Sequence, residues 1–305
     1  MVPRCAITFL LMLFFTGCSS ASPSPTPAPA SETPPPPPTA TSAPDYVTFL
    51  RAAEYQLGGI DALRTVQLTD GVYQNGQPGD SDYAFVKMAD FTAKGDLNGD
   101  GRDEYVALVG ENYGGSGTFV FIALFNEVGG RMVFQASRIV DDRPQINGLL
   151  IENGEVLLDA VIHGAEDPFC CPTLKTVRHY DLLSDGQLEL SDYSTFTPDD
   201  RQRTIKLELP ASGTEVTSSV QVRGTVTIAP FENNLVYKLV STGGVELSVG
   251  SITVSASELG GPGAFDTVIV VRNVLAGSLV RLVVQDVSAA DGSVLAMDSV
   301  ELVVK

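Results

Sequence analysis

Tryptophan is absent from this 305-residue chain, histidine occurs twice and cysteine four times. Each scarcity removes a class of function. Without tryptophan the usual stacking platform for sugars is missing, so Tyr113 and Phe119 beside a glycine-rich loop would have to serve. His163 and His179 are the whole supply of imidazole, and no G-x-S-x-G segment marks a serine nucleophile. Positive charge is also short, with 19 Lys and Arg against 37 Asp and Glu and a formal net charge of -18. No basic cluster stands out, which speaks against nucleic acid as a partner. An acidic surface of this kind suits solubility and cation binding instead. No apolar run after the first twenty residues has the length of a membrane span.

The first 44 residues are different in kind. Met1 to Arg4 form a short positive start, and Ala6 to Phe15 an apolar run too short to span a bilayer. Phe15-Thr16-Gly17-Cys18 follows and resembles the lipobox of bacterial lipoproteins. The resemblance implies a signal peptide over residues 1–17, cleavage before Cys18, and lipid on the Cys18 thiol. Residues 18–44 are then a tether of Ser, Thr, Ala and Pro, holding ten of the 19 prolines and one charge, Glu32. Proline fixes φ and removes a backbone donor, so the tether favours extended polyproline II and reaches up to ~80 Å. The expected location is extracytoplasmic, with the membrane as partner through the lipid alone.

The remaining residues read mostly as β-structure. Phe49, Leu50 and Ala53 fall at helical spacing, which predicts one short helix over Tyr46–Ala53. Beyond it, apolar runs such as Tyr105–Val109, Thr118–Phe125, Met132–Val140, Val156–Ile162 and Val177–Leu182 are punctuated by Gly, Asp and Asn, as strands are. Asn153-Gly154 and Asp185-Gly186 are hairpin turn signals. The polar stretch STFTPDDRQR marks a boundary. The fold class expected is mostly β: a β-rich (α+β) domain over 45–195, then a β-sandwich over 204–305.

Seven strand-like runs between Ile205 and Val304 have the spacing of a sandwich. The segments LPASGTEVTSSVQVRGTV, FENNLVYKLV, GGPGAFDTVIVV and VVQDVSAADGSV carry a closer likeness. With Gly224, Phe231-Glu232, Gly263 and Phe265, they resemble the immunoglobulin-like domain of bacterial spore-germination proteins, the Gmad type. That implies an adhesive or spacer module with no catalytic residue, and sporulation itself does not follow from it. Phe231, Leu235, Phe265 and Val283 are its expected core, with Gly224 and Gly263 permitting bends.

The strongest chemical motif is GDLNGDGRDE at 95–104. Asp96, Asn98 and Asp100 alternate on a short loop, Gly101 allows a sharp turn, and Glu104 (or Asp103) closes the set. Hard oxygens at this spacing can converge on Ca²⁺ with the Arg102 carbonyl as a further ligand. The loop is not an EF-hand, because Ala107 stands where the bidentate glutamate would be. It resembles the DxNGDGxxD loop of FG-GAP and related extracellular calcium repeats, so one Ca²⁺ is the cofactor expected. The alternative is a solvated turn with no ion.

The second motif is HGAEDPFCCPT at 163–173. Cys170 and Cys171 can close a vicinal disulfide, hold a soft metal with His163 or His179, or supply a thiol nucleophile paired with His163. An oxidising compartment favours the disulfide. LTDGVY, GDLNGDGRDE, GGSGTF, DDRPQI and HGAEDPFCCPT together resemble a domain of uncharacterised lipoproteins of environmental bacteria, which implies no activity. GGSGTF lies between two strands and so reads as a hairpin, not a phosphate loop, and Asp141, Asp142 and Arg143 as an exposed ion pair of little weight. The functional expectation is a non-catalytic, lipid-anchored binding or structural protein. Its partner would be a cell-wall polymer, a glycan or an envelope protein. The alternative is an extracytoplasmic hydrolase or metal-binding protein using the His163, Cys170 and Cys171 region.

Overall fold

Alternation of apolar and polar residues builds nearly every element of this structure, a computed structural model that describes residues 45–58, 63–272 and 274–305. The expected signal peptide, Cys18 and the expected tether lie outside the described residues. The helix is α1, Tyr46–Leu50, shorter than its apolar spacing suggests. The Asp45 carboxylate caps it by accepting the Val47 N–H at 3.1 Å. Eleven strands follow: β1 Glu54–Gly58, β2 Leu63–Gln67, β3 Val72–Asn75, β4 Ala84–Gly95, β5 Glu104–Asn112, β6 Phe119–Val128, β7 Arg131–Asp142, β8 Gln145–Glu152, β9 Glu155–Ile162, β10 Leu174–Leu182 and β11 Leu188–Phe196. The β8–β9 turn is Asn153-Gly154, both at positive φ, as a two-residue hairpin of this twist requires.

The C-terminal strands are β12 Gln202–Arg203, β13 Ile205–Leu209, β14 Thr214–Val216, β15 Ser219–Val226, β16 Asn234–Ser241, β17 Glu246–Thr253, β18 Ser255–Ala256, β19 Gly263–Val270, β20 Leu279–Val287 and β21 Val294–Val304. Strands β13, β15, β19 and β18 form one sheet. Strands β17, β16, β20 and β21 face it, and Val222, Leu235, Phe265, Leu282 and Leu302 fill the space between. Gly224 is needed for close approach and not for a bend: a Cβ there would strike the Lys206 carbonyl and the Phe265 ring. Gly263 meets Val254 in the same way.

Two core expectations need correction. Phe231 is 69 % exposed, because it sits in a short 3-10 turn that carries its ring away from the sandwich. Val283 is buried, but on the opposite face of β20, in a core shared with the N-terminal strands.

That sharing is the main architectural result. Strands β3 to β7 form a five-stranded antiparallel sheet with its inner face on β8 to β11. Its outer face is covered by α1 and the β1–β2 hairpin around Tyr55, Leu57 and Phe125. Strands β8 to β11 do not end as a separate sheet. They continue through β11–β21 pairing into the sandwich, in one ten-stranded sheet of order β17-β16-β20-β21-β11-β10-β9-β8, with β12 on β11 and β14 on β21. Within the polar STFTPDDRQR stretch only Thr197 to Arg201 form a surface turn, between β11 and β12 beside this junction, and the described residues from 45 onward pack as one compact unit.

The junction is short in backbone and rich in side chains. Its register is Asp192 opposite Asp298, Tyr193 opposite Met297 and Ser194 opposite Ala296. Thr195 Oγ1 donates to the Leu295 carbonyl at 2.6 Å, and Ser299 Oγ to the Ser191 carbonyl at 2.9 Å. Arg281 pairs with Glu189 at 3.2 Å and donates to the Leu190 carbonyl, while Arg138 holds the other oxygen of Glu189. Strand β21 serves both cores, with Ala296 and Leu302 facing the sandwich and Met297 the N-terminal layers.

Candidate functional site

The GDLNGDG loop connects β4 to β5 and is held together by its own polar side chains. Asp96 accepts the Gly99 N–H at 2.7 Å on one oxygen and the Gly101 N–H at 2.8 Å on the other. Asn98 Oδ1 accepts from Asp100 N at 2.9 Å, and Asp100 Oδ1 from Arg102 N at 2.8 Å. Gly99 and Gly101 take positive φ, the turn that glycine permits without strain. Glu104 closes the loop from inside: it is 2 % exposed and accepts from Leu97 N at 2.8 Å and Asn98 Nδ2 at 2.9 Å. Asp103 turns outward to Lys94 at 2.9 Å, so Glu104 is the carboxylate that belongs to the loop. Backbone donors, the Gly101 N–H foremost, hold the Asp96 carboxyl below its usual range. Burial raises Glu104, and the charges of Asp100 and Asp96 push in the same direction. The donor set is all hard oxygen, as Ca²⁺ requires, and oxygens that accept one N–H keep a further lone pair. Among the described residues, no three acidic, histidine or cysteine groups converge in the manner of a finished metal cage.

The His163–Thr173 segment is the β9–β10 loop. Asp167 ties its ends, accepting from Gly164 N at 2.8 Å, Thr173 N at 2.6 Å and Thr173 Oγ1 at 2.8 Å. The Gly164 bond first, then the Thr173 hydroxyl, hold the Asp167 carboxyl low. Cys170 and Cys171 are exposed and bonded to one another. His163 Nε2 lies 3.2 Å from the Phe169 carbonyl oxygen. His179 is on the opposite face of β10, with Nδ1 2.7 Å from Glu155 Oε2. The structure therefore does not bring both imidazoles to the cysteines, and the bonded sulfurs present no thiolate to a metal or substrate. The DDR segment also differs from expectation. Arg143 and Asp142 pair at 2.6 Å in a half-buried position, and Asp142 Oδ1 accepts from Thr118 N at 2.7 Å. This contact pins the GGSGTF hairpin, which joins β5 to β6, where Tyr113 lies under the Arg64 guanidinium at 4.4 Å.

Sequence reasoning missed an acidic cavity of about 520 Å³ on the outer face of the ten-stranded sheet, beside the β12–β13 strand. Glu155, His179, Asp181, Asp192 and Asp298 line it from four adjacent strands, and Lys206 closes from β13. Burial is the leading cause that pushes Asp298 up to about 7 and Asp192 up to about 6, and it also raises Asp181. The Glu155 hydrogen bond raises His179. These residues are far apart in sequence, so only the sheet order makes them neighbours. The one local sign was His179 and Asp181 at alternate positions of β10.

The fold and the junction define the class: an all-β protein whose C-terminal part is an immunoglobulin-like sandwich fused edge to edge with a second β-unit. Residues 204–293 match Gmad2, the immunoglobulin-like domain of bacterial spore germination. Strand β21, which completes that sandwich and joins it to β11, follows the matched residues. A comparison with curated proteins finds no match. No helix among the described residues is long and apolar enough to cross a membrane.

Proposed function

We propose that this chain is an exported, lipid-anchored binding or structural protein of the bacterial envelope, without catalysis, whose body is ordered in part by one Ca²⁺. The observation that carries this reading is the immunoglobulin-like segment at 204–293, built into a single scaffold with the strands before it. The lipobox-like FTGC, with the Pro-rich tether behind it, supports anchoring at Cys18 and an extracytoplasmic location. Its partner would be a cell-wall polymer, a glycan or an envelope protein. The calcium reading is supported by the donor types at Asp96, Asn98, Asp100 and Glu104, and by Glu104 being raised first by burial and then by the charges of Asp100 and Asp96. A cation would offset both the burial of that carboxylate and the neighbouring charges.

Thermal unfolding with Ca²⁺ and with chelator tests the loop. At a hundred times its dissociation constant a bound ion adds ~2.7 kcal/mol, an upward shift of several degrees in Tm. The Asp96→Ala/Asp100→Ala double variant should lose that shift. An identical Tm with millimolar Ca²⁺ and with chelator would reduce GDLNGDG to a turn.

A further inference from the structure

Arg178 places a charge where the strand pattern calls for an apolar side chain. Strand β10 directs Thr176, Arg178 and Tyr180 into the space between the five- and ten-stranded sheets, and Arg178 is 7 % exposed there. One of its terminal nitrogens is satisfied: Nη1 donates to the Val140 carbonyl at 2.8 Å. The guanidinium also lies 5.4 Å from the centre of the Tyr193 ring. Its Nε–H is buried with no acceptor, and no carboxylate pairs with the group among the described residues. Asp141, next to Val140, is engaged elsewhere, accepting from Asp142 N at 2.8 Å and His163 N at 3.1 Å. A buried guanidinium with an unpartnered donor and no counter-ion is costly unless something else supplies the anion.

The space to supply it is present. A cavity of about 350 Å³ opens beside Arg178, between the start of the β9–β10 loop and the start of β21. Its polar side is Arg178, Tyr193 and Gln285, with His163 at the rim. Its walls are apolar, from Leu174, Leu190 and Met297. The first half of the disulfide-bearing loop, His163 to Ala165, forms part of the mouth. A concave, mainly apolar pocket with a few converging polar groups is the usual form of a small-molecule site.

We propose that this cavity binds an amphipathic monocarboxylic acid, its carboxylate on the Arg178 guanidinium and its apolar body against Leu174, Leu190 and Met297. The planar fork of arginine matches a carboxylate in shape and charge. A single cation inside a chain of net charge -18 suits a monoanion better than a doubly charged phosphate. This deepens the binding reading above and rests on it.

The test is ligand-observed NMR and calorimetry on the full chain, with octanoate against octanamide as probes. Octanoate should bind about tenfold tighter than the neutral amide, because only the acid completes the Arg178 pair. Arg178→Gln should erase that preference. Because that variant removes a buried group and can unfold the sheet, Val294→Trp is the second: it fills the cavity from the first residue of β21. It should abolish octanoate binding with the circular dichroism unchanged. Equal binding of acid and amide, or octanoate binding that survives Val294→Trp, would overturn the proposal. Calcium-dependent melting and retention on cell-wall material without any octanoate selectivity would overturn the cavity alone and leave the binding-module reading standing.

Discussion

Asp192 and Asp298 face each other across the β11–β21 junction, and two like charges directly opposite on neighbouring strands repel. Asp298 accepts the Leu207 N–H at 2.6 Å, which ties it to β13 at the edge of the sandwich. Around the pair stand Glu155, His179, Asp181 and Lys206. Both aspartates have folded-state pKa values above the ordinary carboxylate range, about 6 and about 7. The sign follows from proton counting. Between the unfolded pKa and about pH 7 the native protein holds protons that the unfolded chain has released, so stability falls as pH rises through that window. The raised His179 acts in the same direction, since its favourable charge is lost above its folded pKa. Asp96 and Asp167, held low, oppose the trend from exposed positions. Denaturant unfolding should therefore weaken from pH 4.5 to pH 8, and Asp298→Asn should flatten the profile and add ~1–3 kcal/mol at pH 8. A variant no more stable than the parent at pH 8 would show that the pair is solvated. Arg178 was the most legible of the residues that strand reading passed over. In KTVRHYDL it shares parity with Thr176 and Tyr180, and a lone charge on an inward parity is a flag.

At the scale of elements, β21 is where two cores meet. Three residue pairs join it to β11, and side chains carry much of the remaining load. Arg281 illustrates this: it reaches Glu189, the Leu190 carbonyl and Ser299 Oγ at 3.0 Å from β20. Its own side chain is 15 % exposed, so removing it leaves Glu189 with less compensation in a half-buried site. Arg281→Leu should cost ~3 kcal/mol and speed amide exchange in β11 and β20 together. Exchange that quickens in β20 alone would mean the backbone pairing holds the junction without it. The strands themselves were legible, because period-two alternation with Gly, Asn and Asp at the ends marks them one at a time. Their order was not, because pairing between β11 and β21 joins residues about a hundred positions apart.

The whole molecule carries these features as one body. The ten-stranded sheet is a common layer for two interiors, so neither the β-rich part nor the sandwich has a closed boundary at STFTPDDRQR. Cooperative units follow shared cores and not chain segments. Scanning calorimetry of residues 45–305 should give a single transition, with calorimetric and van't Hoff enthalpies in agreement. Two separated endotherms would show that the junction breaks first and the halves fold independently.

The sequence by itself determined the strand content, the sandwich likeness over the last hundred residues and the makeup of the acidic loop. All three depend on neighbours along the chain, through alternation, turn chemistry and ligand spacing. Tertiary structure decided the rest: that Glu104 and not Asp103 closes the loop, and that Phe231 faces solvent. It also set the acids of β9, β10, β11 and β21 side by side and left Arg178 buried beside an open cavity. Those outcomes turn on which strands share a hydrogen-bonded edge and which face each presents, and sheet order is settled by packing across the whole fold.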